Sequence, residues 1–125
     1  MEELDIPILK KSYELYKAFH GWRALVPKAD RYTLWQRAEN VILDILEDIL
    51  SAGQSPKNGK LAHLEQASIK LNLLRLFVRL RKDTKVLDMK KTVHLQQLID
   101  EIGRMLGGWI KSLRSSGTTP PQRSF

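Results

Sequence analysis

Apolar residues in the last third of the chain fall at Leu95, Leu98, Ile99, Ile102, Leu106, Trp109, Ile110 and Leu113. Steps of mostly three and four draw one stripe along an α-helix and fit no strand-like alternation. Asp100, Glu101, Arg104 and Lys111 lie among them, so the helix is amphipathic and needs other elements to cover its stripe. Gly103, Gly107 and Gly108 interrupt it, each at a cost on the order of 1 kcal/mol against Ala. Gly103 and Gly107 share a face, where missing side chains admit another backbone. Gly103, Gly107, Gly108 and Trp109 are therefore the expected helix-packing set. A break at Gly107-Gly108 is the alternative, against which the apolar spacing runs unbroken across the pair.

Three further helices are expected upstream. The first runs from about Pro7 to Ala24, capped by Asp5, with Ile8, Leu15, Phe19 and Trp22 on one stripe and Pro27 confirming its end. The second starts after Asp30 and runs to about Ala52. Arg31 and Arg37 flank its entry, where they can bond carbonyls. Gln54–Gly59 reads as a turn, and the third helix spans about Lys60 to Lys82. The third carries two apolar stripes, Leu64, Ala67, Leu71, Leu74 and Val78 on one and Ile69, Leu73, Leu76 and Leu80 on the other; the second helix is similarly broad. A simple hairpin needs one stripe. Two mean either a central position in a tight bundle or cover by another copy of the chain. Asp83–Asp88 is a connector, Asp88 can cap the last helix (about Met89 to Arg114), and Ser115–Phe125 lacks periodicity. The expected fold is all-α: one antiparallel up-down four-helix bundle over residues 1–114, with a flexible tail at 115–125.

No run free of charged residues exceeds eight, which excludes a membrane-spanning helix. Met1–Asp5 is acidic and lacks the order of a signal peptide; with no cysteine, the expected compartment is the cytoplasm. His20, His63 and His94 lie on different helices without a metal-ligand spacing, and no phosphate-loop glycine pattern occurs. Neither catalytic residues, metal nor cofactor is expected; the histidines read as ordinary surface or boundary residues.

Charge is the informative property. Residues 1–56 carry seven Lys/Arg against nine Asp/Glu, a net of −2, whereas residues 57–125 carry fourteen against five, a net of +9. Ten of the basic residues fall between Lys57 and Lys91, against Glu65, Asp83 and Asp88 alone. Arg75, Arg79 and Lys82 share a helix face, and the run continues through Arg81, Lys85, Lys90 and Lys91. These seven are the candidate contacts to a polyanion, through phosphates and with little sequence preference. The plainer reading is a solvated face that complements the helix dipole. Phe77 is the one aromatic close to the run in sequence and reads as core. The basic residues near the start (Lys10, Lys11, Lys17, Arg23, Lys28, Arg31 and Arg37) are interspersed with acids and read as a solvated face with some ion pairs; fixing the corner is the alternative role of Arg31 and Arg37.

The segments Ile6-Pro-Ile-Leu-Lys-Lys-Ser-Tyr-Glu-Leu-Tyr-Lys17, Arg31-Tyr-Thr-Leu-Trp-Gln-Arg37, Leu74-Arg-Leu-Phe-Val-Arg79 and, most specifically, Glu101-Ile-Gly-Arg-Met-Leu-Gly-Gly-Trp-Ile-Lys111 resemble the accessory variability determinant (Avd) proteins of diversity-generating retroelements. These lie within a wider group of four-helix proteins that includes those encoded in intervening sequences of 23S ribosomal RNA genes. The resemblance covers about residues 5–114. It implies a four-helix bundle assembled as a homopentameric ring, with a retroelement reverse transcriptase and RNA or DNA as partners and no catalysis of its own. Arg75 and Arg79 are the contact candidates it carries over; Lys82, Lys85, Lys90 and Lys91 rest on charge clustering. A ribosomal-RNA-intervening-sequence type protein without a polymerase partner, and an interaction module whose charge only solubilises it, are the rival readings.

Overall fold

Helix α1 spans Pro7–Gly21 in the computed structural model, which describes residues 7–117. Pro7 suits a first turn that needs no N–H; the expected cap, Asp5, lies outside the described residues. Ile8, Leu9, Leu15 and Phe19 are buried, and Ser12 among them donates its hydroxyl to the Ile8 carbonyl at 2.8 Å. The helix ends sooner than its periodicity predicts. A 3₁₀ turn, Arg23–Leu25, and a one-turn helix α2, Lys28–Arg31, follow it. Asp30 therefore sits inside α2 instead of capping the next helix. Arg31 takes the alternative role and fixes the corner, donating from Nη2 to the carbonyls of Val26 (3.1 Å) and Ala24 (3.3 Å). Arg37 is exposed.

Helix α3 covers Leu34–Gln54 and α4 covers Lys57–Asp83. The expected six-residue turn between them shrinks to Ser55-Pro56, because the Pro56 carbonyl already accepts the N–H groups of Gly59 (2.8 Å) and Lys60 (3.2 Å). Lys60 reaches back with Nζ to the Ala52 carbonyl at 2.8 Å, satisfying an acceptor at the end of α3. Helix α4 closes through Val86 N–H on the Arg81 carbonyl (2.9 Å) and Lys85 N–H on Lys82 (3.0 Å), with Lys85 at φ 62°. Asp88 caps α5 as expected: its Oδ1 accepts the Lys91 N–H at 2.8 Å. Helix α5, Met89–Gly117, passes through Gly107-Gly108 unbroken. It runs three residues beyond its expected end, so 115–117 are helical; residues 118–125 of the expected tail lie outside the described residues.

The four long helices surround one core: α3 packs on α4, α4 on α5, and α1 on both α3 and α5. Phe19 and Trp35 stack at its centre, ring centroids 3.8 Å apart. Leu64, Leu71, Leu74 and Val78 of α4 are buried in it. Most of the second stripe of α4 faces outward, with Ile69 70% and Leu76 63% exposed and Leu80 exposed beside them, whereas Leu73 is partly buried against the core. Among the described residues there is no strand, and no helix is long and apolar enough to cross a membrane.

Candidate nucleic-acid interface

The basic run of α4 meets the first half of α5 along a shallow seam. Arg75, Arg79, Lys82, Gln96 and Asp100 line a cleft of about 410 Å³ floored by Val78 and Ile99. Arg75 also borders a second cleft, of about 390 Å³, bounded by Asn72, Gly103 and Arg104. Lys82 borders a third, of about 540 Å³, at the end where α4 turns into α5. Arg75, Arg79 and Lys82 thus mark one face of α4, stepping down about 10 Å by helical rise.

The residues differ in what holds them. Arg75 is half-buried and pairs with Asp100 at 3.3 Å. Gly103 makes its place: a Cβ there would stand 2.9 Å from Arg75 Nη2. Arg79, Lys82, Lys85 and Lys90 are exposed and have no ion pair among the described residues. Lys91 is half-buried, bonded to Asp88 Oδ2 at 3.1 Å, and stands over the Trp22 ring at 5.8 Å from its centroid. The Lys91 backbone N–H, and then its ammonium, hold the Asp88 carboxyl below its ordinary value of 3.8.

Arg81, expected among the contacts, is instead 4% exposed and donates from Nη1 to Asp30 Oδ2 at 2.7 Å, so it ties α4 to α2 and does not join the exposed face. Two other members of the basic run also serve the fold: Lys60 caps α3, and Lys70 pairs with Asp48 at 2.8 Å. The glycines divide as well. Gly103 packs against α4, where Leu71 lies 3.5 Å from its notional Cβ, but a Cβ at Gly107 or Gly108 meets nothing within 4 Å. No neighbour among the described residues requires glycine at those two positions. Trp109 beside them is partly buried against the core.

Two arrangements carry no signal in the local sequence. Trp22, just past the end of α1, lines the cleft that also holds Lys82, Lys85 and Lys91. Glu39 of α3 is buried, and it receives His20 Nδ1 at 2.7 Å and Arg23 Nη1 at 3.4 Å. That pairing pins the end of α1 to α3 and gives His20 more than a surface role. Near the start of the chain, Lys11 is ion-paired as expected. Its hydrogen bonds to Glu14, and next to Glu101, raise its pKa above the ordinary lysine value.

A family model described as bAvd-like matches residues 7–113, nearly all of the described chain. No curated protein matches the sequence.

Proposed function

The chain belongs to the bAvd-like family, and from that premise we propose that it is a non-enzymatic accessory protein of a diversity-generating retroelement. In this reading it binds the element's reverse transcriptase and RNA or DNA in the cytoplasm, in support of mutagenic copying by the polymerase. The observation that carries the nucleic-acid part is the row of exposed cations with no described ion pair: Arg79, Lys82, Lys85 and Lys90. Arg75 stands at one end of the row and Lys91 at the other. A polyanion bound this way gives affinity that falls steeply with salt.

Assembly belongs to the same proposal. Ile69, Leu76 and Leu80 leave one face of α4 apolar and open, which supports a homo-oligomeric ring, five copies by family resemblance. The pairs Asp48–Lys70, Arg75–Asp100 and Glu65–Arg114 support an antiparallel up-down order of the helices. Gly107 and Gly108, open in the single chain, are places for another molecule's backbone to approach closely.

The test is a salt titration of RNA binding with Arg79→Ala/Lys82→Ala. The account expects weaker binding and a shallower salt slope, by about two phosphate contacts, with the helical circular-dichroism signal unchanged. Affinity equal to that of the unmutated chain at low salt removes this face from the mechanism. A pull-down with the reverse transcriptase encoded beside the gene tests the second partner.

A further inference from the structure

At the α4–α5 turn the structure brings together an indole, two exposed apolar side chains and a set of lysines from two separate stretches of the chain, 22–26 and 82–91. The cleft there, of about 540 Å³, is lined by Trp22, Leu25, Met89, Lys82, Lys85 and Lys91, a volume in the range of small-ligand sites. Leu25 is 66% and Met89 61% exposed, large apolar surfaces left in water beside a half-buried tryptophan. Lys82 and Lys85 have no ion pair among the described residues, and Asp88, the one carboxylate on the rim, is engaged by both the N–H and the ammonium of Lys91.

Lys85 supplies an independent observation. Its φ of 62° is in the left-handed region, where a Cβ is disfavoured and glycine is the usual residue at a helix end of this kind. The backbone geometry gives no reason for a lysine. Lys85 lines the cleft together with Lys82 and Lys91.

We propose that this cleft takes a single unpaired nucleotide, the base against Trp22 between Leu25 and Met89 and its phosphate on Lys82 and Lys85. The proposal rests on the reading that the protein binds nucleic acid and adds to it a preference for single strands at this position. In a duplex the base faces are stacked on one another and cannot reach an indole, whereas an unpaired base stacks on any aromatic ring. An acidic peptide fits less well: its backbone offers no ring to stack on the indole, and Asp88 is already engaged by Lys91.

The experiment is fluorescence anisotropy with labelled oligo(U) and with an RNA duplex of equal length, on the full chain at low salt. Trp22→Ala should weaken oligo(U) binding about 5- to 150-fold, the range of one lost base stack, and leave duplex affinity nearly unchanged. Trp22→Leu keeps apolar bulk without the flat ring and should show the same selectivity while melting close to the unmutated chain. Lys85→Gly should also weaken oligo(U) binding, yet melt no lower, since it relieves the left-handed backbone; loss through misfolding would lower both. Equal losses on both ligands, no loss on either, or displacement of oligo(U) by poly-glutamate as readily as by unlabelled oligo(U) overturns the cleft assignment alone. Failure of the unmutated chain to bind either RNA removes the underlying nucleic-acid reading, and this inference with it.

Discussion

Arg79 and Arg81 carry the same guanidinium on the same helix, but a two-residue step on an α-helix turns the side chain through about 200°. Arg79 therefore projects into solvent beside Lys82, whereas Arg81 is buried against Asp30. Arg81→Ala leaves that carboxylate without its partner in a partly enclosed site, and is expected to cost about 2–4 kcal/mol in urea unfolding. Arg79→Ala should stay within about 0.5 kcal/mol while losing affinity for RNA. Gly103→Ala separates positioning from packing: the new Cβ displaces Arg75 Nη2, the far end of a flexible side chain, so the helix keeps or gains stability. RNA affinity should change, because the guanidinium leaves its place beside Asp100. Gly107→Ala meets no neighbour among the described residues and should raise the stability of the isolated subunit by about 0.5–1 kcal/mol. A fall in melting temperature would reveal a neighbour that only assembly supplies.

At the scale of elements, the cap of α5 has a definite dependence on pH. The Asp88 carboxyl is held below its ordinary value of 3.8 by the Lys91 N–H and ammonium. The folded state thus prefers the carboxylate, and the cap's contribution is complete above 3.8 and lost as pH falls through the lower folded value. The difference in melting temperature between the unmutated chain and Asp88→Ala should be constant above about pH 5 and close on further acidification; a difference that persists undiminished in strong acid contradicts the assignment. This cap was legible because its partners are three residues apart. So was α5 itself, whose apolar spacing carried the helix through Gly107-Gly108 where composition alone suggests a break. What local pattern did not show were contacts made by the fold. Asp30 reads as a helix cap until Arg81, 51 residues later, is brought against it. Trp22 belongs by periodicity to the stripe of α1, and nothing near it in sequence places it beside Lys82 and Lys85. The short α2 is invisible to periodicity for a related reason: four residues are too few to show a period.

For the whole molecule, the two stripes of α4 are the decisive feature. One is consumed by the core; Ile69, Leu76 and Leu80 remain outside it, on the helix that also presents Arg75, Arg79 and Lys82. Apolar faces of this kind are costly to leave in water, and in the proposed assembly copies joined through them would repeat the cationic row. Ile69→Glu with Leu76→Glu should yield a folded, helical subunit of lower mass whose RNA affinity drops, since separate rows no longer act on one strand. The most direct measurement is sedimentation of the unmutated protein with labelled RNA across a salt series. The account predicts a particle of several times 14.4 kDa that carries the RNA at low salt and releases it as salt rises. A particle of 14.4 kDa that leaves the RNA behind at every salt concentration would contradict it.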